Sequence, residues 1–164
     1  MNIRLFITGG TLNKEYDPVK QNLYIKETHL PEMLQKSRCR LDVKVEKLIF
    51  MDSLDMTMDE RLYIAENCKR VKEDQIVITH GTDTIVETAT VLEAHVKEKT
   101  IVLTGAMIPY TIDSSCSLFN VGSALAFVQT LPKGVYVSMD GRYFKPDEVK
   151  KDKQTGEFEE TSNS

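Results

Sequence analysis

Cysteine is scarce in this sequence: Cys39, Cys68 and Cys116 are widely spaced and odd in number. That count excludes a disulfide framework and supplies no CxxC metal pair. Cys68 falls on an apolar helical stripe and reads as a buried thiol. No apolar run approaches the roughly 20 residues that cross a bilayer. The N-terminus carries Arg4 as its one basic residue and reaches Gly9 after a few apolar positions, which is not the pattern of a signal peptide. Basic charge is short as well. Lys and Arg total 21 against 25 Asp and Glu, a net charge of −4 with no concentrated basic stripe, so the electrostatic footprint of a nucleic-acid binder is missing. Also absent are a GxGxxG turn, a Walker-type phosphate loop, a GxSxG elbow, a His/Cys metal cluster and a pair of catalytic carboxylates. The chain contains no internal repeat and no low-complexity block. These absences predict a cytoplasmic protein that works without nucleic acid, membrane, metal or other cofactor.

What is present is the material of one globular domain. At 164 residues, with 41% hydrophobic and 28% charged residues, the chain is long enough to bury its own core. Ile3 to Ile7 reads as a buried strand ending at Thr8-Gly9-Gly10-Thr11, where Gly-Gly permits positive φ and close backbone approach. Residues 12 to 27 are polar, carry Pro18, and read as a mobile loop long enough to suspect function. A short helix over 28–38 follows, then a strand through Val43, Val45 and Leu48-Ile49-Phe50. That strand leads into the polar turn Met51-Asp52-Ser53-Leu54-Asp55. Thr57 and Glu60 make a capping box for a helix with Leu62, Ala65, Cys68 and Val71 at helical spacing.

Ile76 to Thr79 is the next strand, and it opens through His80-Gly81-Thr82-Asp83-Thr84 into a helix. That helix carries Ile85, Ala89, Leu92 and Val96 on one stripe, and Thr84 with Glu87 fits a second capping box. Thr100 to Leu103 forms a strand ending at Thr104-Gly105-Ala106-Met107. A loop with Pro109 then reaches a helix with Leu118, Val121, Leu125 and Val128 on one face. Gly134 to Met139 is the fifth strand. Beyond Asp140-Gly141 the tail is charged and is expected to add no core, with residues 159–164 frayed. The strand–helix alternation predicts an α/β fold: a three-layer α/β/α sandwich around a mostly parallel, flavodoxin-like sheet, with residues 1–164 as a single domain.

In a parallel sheet the strand ends share one edge, so residues remote in sequence converge there. This edge collects threonine hydroxyls, Asp83 and the lysines Lys145, Lys150 and Lys151 from the tail. A threonine hydroxyl is a weak nucleophile until a partner takes its proton. A Thr–Lys–Asp arrangement would rebuild the logic of a Ser-His-Asp triad from other parts. Bland alternatives exist at each position. Thr11 can be a turn residue, Thr82-Asp83 a helix cap and Lys151 a solvated charge. His80 reads as a packed strand-end residue rather than a base, and His29 and His95 as surface residues.

Ile7-Thr8-Gly9-Gly10-Thr11-Leu12, His80 to Ala89 and Val102-Leu103-Thr104-Gly105-Ala106-Met107 resemble the signatures of the bacterial-type L-asparaginase/glutaminase family. Their order and separation match, and Asp52-Ser53-Leu54-Asp55 sits where that family has its substrate-binding Ser-x-Asp turn. The resemblance spans nearly the whole chain but only the family's N-terminal domain, as in short single-domain asparaginases. It implies hydrolysis of the side-chain amide of L-asparagine to L-aspartate and ammonia, with some glutaminase activity, through an acyl-enzyme. Thr11 is implied as the nucleophile, and Thr82, Asp83 and Lys151 as the second catalytic set, with Lys150 the alternative lysine. The loop tyrosine is Tyr16 by comparison with short members and Tyr24 by the spacing of long ones. Substrate contacts are implied at Asp52, Ser53, Gly81, Thr82, Asp83 and Ala106, with Asp83 holding the α-ammonium and Ser53 the α-carboxylate. Leu54 departs from the family's glutamine. A homo-oligomer is implied too, because the family completes its site at subunit contacts. An amino-acid sensor without turnover, or an amidase for another small amide, are the alternatives.

Overall fold

The computed structural model of the protein describes residues 1–161. Its strands are β1 (Asn2–Gly9), β2 (Lys14–Asp17), β3 (Asn22–Ile25), β4 (Asp42–Met51), β5 (Gln75–Thr79), β6 (Thr100–Thr104), β7 (Gly134–Met139), β8 (Arg142–Phe144), β9 (Val149–Lys151) and β10 (Phe158–Glu160). Its helices are α1 (Leu30–Lys36), α2 (Met58–Arg70), α3 (Ile85–His95) and α4 (Ser114–Thr130). Six strands form the main sheet in the order β4-β1-β5-β6-β7-β8, parallel throughout except for the antiparallel β7–β8 pair. The five parallel strands thus follow the flavodoxin-like order, and the order reverses between β1 and β5. A ligand crevice belongs at that switch point, outside the carboxyl ends of the strands.

The central strands read as unbroken apolar runs because both faces of the sheet are covered. Ile76 and Ile78 of β5 turn to one side, against Ile64, Ala65 and Cys68 of α2 and Ile85, Ala89 and Leu92 of α3. Val77 turns to the other, against Leu30 and Met33 of α1 and Val121, Ala124 and Val128 of α4. This is the expected α/β/α sandwich.

Several local expectations change. The supposed loop over 12–27 holds a 3-10 turn (Thr11–Asn13) and the β2–β3 hairpin, with Leu12 and Asn13 fully buried. Its tight turn is stabilised by the Asp17 carboxylate, which accepts the N–H groups of Val19 and Lys20. Pairing of short polar strands leaves little hydrophobic alternation to read. The tail does add core: Phe144, Val149 and Phe158 are buried against the α2/α3 side of the sheet. Glu159 and Glu160, expected to fray, belong to β10, while residues 162–164 lie outside the described residues. On α2, Arg61, Ile64, Ala65 and Cys68 are buried and Leu62 only half so. The Thr57–Glu60 cap forms, with the Thr57 N–H donating to the Glu60 carboxylate at 2.6 Å. The Thr84–Glu87 box does not, because the Thr84 hydroxyl donates instead to the Ser53 carbonyl at 2.8 Å.

Candidate active site

The switch point is built by glycines that let backbone touch backbone. Gly9 and Gly10 at the end of β1 have φ of +106° and +88°. A Cβ on Gly10 would fall 2.5 Å from the Gly81 nitrogen, and one on Gly81 would fall 2.6 Å from the Ser53 side chain. The turns after β1, β4 and β5 therefore stack as Gly10, Gly81 and Ser53. Thr11 and Thr82 follow the first two of these contacts directly, so the stack sets the two threonines on adjacent turns.

At the second turn the polar side chains join. Lys151 Nζ donates to Thr82 Oγ1 and to Asp83 Oδ1, each at 2.8 Å. Thr82 is buried, whereas the Asp83 side chain is 49% exposed and lines the adjoining cleft. The Thr82 hydroxyl reaches the Met107 sulfur at 3.5 Å. Because the ammonium can only donate, the hydroxyl accepts from Lys151 and gives its own proton to the sulfur, a weak acceptor.

The lysine comes from a hairpin. Lys151 on β9 pairs in register with Phe158 on β10, and Phe158 is fully buried. Strand alternation turns Lys150 outward, so of the two lysines it is Lys151 that reaches the threonine.

Beneath Thr82 lies a buried relay. Arg61 Nε donates to Thr88 Oγ1 at 3.1 Å, the Thr88 hydroxyl lies 2.8 Å from His80 Nε2, and His80 Nδ1 lies 2.7 Å from the Gly81 carbonyl. A carbonyl can only accept, so Nδ1 carries the proton and Nε2 accepts from Thr88. Burial depresses the His80 pKa to about 4; the hydrogen bond to the Gly81 carbonyl opposes it, and the nearby Arg61 charge adds a smaller push downward. The imidazole is neutral at physiological pH and serves as a strut for the turn. The signal for this relay in the sequence is Arg61, a charged residue on the face shared by Ile64, Ala65 and Cys68.

The other expected site residues are distributed as follows. The Asp52 carboxylate is occupied by β2 and by its own turn. Lys14 Nζ donates to it at 2.9 Å and the Leu54 N–H at 3.1 Å, which together hold its pKa below the ordinary carboxylate range. Ser53 Oγ is buried and has no hydrogen-bond partner among the described residues. Ala106 is buried beside Gly105, whose carbonyl accepts from Asn120 Nδ2 at 2.9 Å. Tyr16 stands 54% exposed on β2, and Tyr24 pairs across the hairpin with Glu15. His29, expected at the surface, is half-buried, with Nε2 2.9 Å from Glu15 and its ring against Tyr110. A cleft of about 770 Å³ opens beside the cluster, lined by Leu54, Asp83, Glu87, Met107 and Lys151 among others.

Fold and site together define a doubly wound α/β protein with a threonine–lysine–aspartate cluster at its switch point. Residues 2–159 match the family model for the N-terminal domain of asparaginase. The chain is 32% identical to a probable periplasmic L-asparaginase of Haemophilus influenzae, an alignment covering 94% of this chain and 47% of that protein. It is 34% identical to L-asparaginase 2 of Escherichia coli, over 85% of this chain and 43% of that one. The thermostable L-asparaginase from Thermococcus kodakarensis superposes with a TM-score of 0.86 at 24% identity, over the whole of this chain and 52% of that structure. The chain belongs to the asparaginase family, in the part that corresponds to its N-terminal domain. It spans about half the length of the curated relatives it matches.

Proposed function

We propose that the protein hydrolyses the side-chain amide of L-asparagine, releasing ammonia and L-aspartate. The observation that carries this reading is the placement of Lys151 Nζ 2.8 Å from both Thr82 Oγ1 and Asp83 Oδ1, on a turn stacked against the one that bears Thr11. Thr11 Oγ attacks the amide carbon and forms a C–O bond. The tetrahedral intermediate collapses as the C–N bond breaks, and the nitrogen leaves as ammonia with the proton given up by the threonine. Water then attacks the resulting ester and regenerates the Thr11 hydroxyl. Thr82, Lys151 and Asp83 handle the protons of these steps and of the attacking water. The Thr82 N–H, on the turn braced by His80 and Gly81, stabilises the oxyanion with the backbone at Ala106. The Asp83 carboxylate at the cleft holds the substrate ammonium, and the unpaired Ser53 hydroxyl its carboxylate. Tyr16 orients Thr11 from the hairpin. No cofactor enters this scheme.

The reading extends to assembly and setting. The strand-end edge exposes Leu54, Met107, Ile108 and Ile112, an apolar rim around a polar centre that suits a homo-oligomeric contact. An active monomer by sedimentation would oppose assembly as part of the site. Three unpaired cysteines suit a reduced cytoplasmic setting, with residues 1–164 acting as one asparaginase-like unit.

The test is ammonia release from L-asparagine by the wild type beside Thr11→Ala and Thr82→Val. Release that both substitutions abolish supports the reading, and release that neither changes refutes it. One observation favours a second reading, amino-acid binding without turnover: Leu54, an apolar side chain 69% exposed, borders the cleft where a polar substrate contact would serve. Saturable binding of asparagine by calorimetry with no ammonia released would select it.

A further inference from the structure

Met107 sits between Thr82 and the β9–β10 hairpin that carries Lys151. Its sulfur takes the Thr82 hydroxyl at 3.5 Å, and its methyl group lies against Gly156, where a Cβ would come within 2.8 Å of it. Gly156 is in the turn of the β9–β10 hairpin, the element that presents Lys151. Met107 is also 44% exposed and lines the cleft, so a small molecule that enters the cleft reaches its sulfur. Met33, Met56 and Met139 are buried and Met51 is half-buried, whereas Met1 and Met58 are exposed; none of these lines the cleft.

We propose that Met107 is an oxidation site through which hydroperoxides switch off the Thr82–Lys151 pair. The inference rests on the asparagine-hydrolysis reading for its effect on activity. A thioether lone pair attacks the terminal oxygen of a hydroperoxide. The S–O bond forms as the O–O bond breaks, and the departing oxygen leaves as water or an alcohol after taking a proton. Sulfur loses two electrons and the peroxide gains them. A thioether is a weak acceptor, so in the reduced protein the Thr82 proton is loosely held. A sulfoxide oxygen is a strong acceptor placed on the same atom, and it converts a flexible apolar side chain into a polar one. It captures the Thr82 hydroxyl, and the oxygen crowded between sulfur and threonine forces the Met107 methyl group toward Gly156, displacing the hairpin from Thr82. A dithiol-dependent methionine sulfoxide reductase reverses the change, returning the sulfide and releasing water as the dithiol becomes a disulfide.

The experiment treats the wild type and Met107→Leu with hydrogen peroxide, maps sulfoxide at each methionine by mass spectrometry, and compares the ammonia release of each protein with that of its own untreated sample. The wild type is expected to lose activity at least tenfold in step with Met107 sulfoxide, and to recover it on reductase treatment. Met107→Leu, which keeps all three cysteines and the other methionines, is expected to retain more than half. Equal losses in both proteins, or full Met107 sulfoxide without loss, overturn the inference. If the untreated wild type releases no ammonia, the hydrolase reading fails by itself, and a crystal structure of the peroxide-treated protein then decides. A sulfoxide oxygen within hydrogen-bond distance of Thr82 Oγ1 upholds the capture, and one turned to solvent overturns it.

Discussion

The turn that carries Thr82 and the turn that carries Thr11 touch through Gly10 and Gly81, yet they are held by different physics. The Thr82 turn rests on a buried chain from Arg61 through Thr88 and His80 to the Gly81 carbonyl, and the Thr84 hydroxyl ties it to Ser53. Each of these groups would cost about 1–3 kcal/mol if left unpaired in the interior, so the turn has one arrangement that satisfies them all. The Thr11 turn closes on itself through the Asn13 N–H to the Gly10 carbonyl. Leu12 is buried in the core and Asn13 Nδ2 donates to the Gly9 carbonyl at 3.3 Å, while the hairpin that follows is tied by partly exposed pairs, Lys14 to Asp52 and Glu15 to His29. Such pairs contribute about 0–1 kcal/mol and weaken with salt. One threonine sits on a frame of buried polar groups, and the other beside a single buried anchor, Leu12-Asn13, from which a hairpin stitched down at the surface runs on. A nucleophile that must form and release an ester belongs on the second kind of support, and a proton-handling group that must keep its geometry belongs on the first.

The sharpest way to break this division is at the contact itself. Gly10→Ala forces a Cβ to 2.5 Å from the Gly81 nitrogen at a φ of +88°, where an L side chain is strained. The expected outcome is a loss of at least about 3 kcal/mol in urea unfolding, together with loss of ammonia release. Next in size is Lys151→Met, which leaves the fold intact and lowers kcat by about 100-fold or more, because the Thr82 hydroxyl loses its charged partner. Unchanged kcat would remove the lysine from the chemistry.

A smaller effect separates the frame from the stitches by pH. The folded-state pKa of His80 is about 4, below the ordinary 6.5. Between these values the unfolded chain binds more protons, so stability is fully present above about pH 6.5 and falls as pH drops toward 4. The drop is on the order of 3 kcal/mol, and His80→Gln should flatten it in pH-dependent denaturation curves. Asp52 is also depressed, but from 3.8, so its contribution is lost only in more acid solution. The smallest effect is expected for Asp52→Asn, which frees Lys14. It should cost under about 1 kcal/mol at low salt and less at high salt, and should disturb the Thr11 side of the site before the Thr82 side.

How far this was legible in the sequence depends on the range of the forces involved. The five parallel strands and four helices show because apolar periodicity is a local record of which face is buried. Thr82, Asp83 and Thr11 stood out because they follow glycine turns at strand ends. The β2–β3 hairpin did not show, since Lys14-Glu15-Tyr16-Asp17 carries no apolar alternation and pairs through its backbone. Phe158 did not show either. An aromatic flanked by glutamates in a charged tail becomes core only once the chain has folded back through β8 and β9 to the sheet. The Thr84–Glu87 motif matched a capping pattern, but Ser53, 31 residues earlier, offered its carbonyl to the same hydroxyl. A local rule lost there to a long-range bond.

The sequence by itself determined the layered α/β architecture, the glycine-rich turns, and the identity of the hydroxyls and carboxylate gathered at one edge. These follow from side-chain periodicity and from the conformations that glycine alone permits. Only the tertiary structure decided that Lys151 rather than Lys150 meets Thr82, that His80 is a neutral strut, and that Met107 receives the Thr82 proton. Each of these rests on which group another part of the chain brings within about 3.5 Å, and no local pattern encodes that.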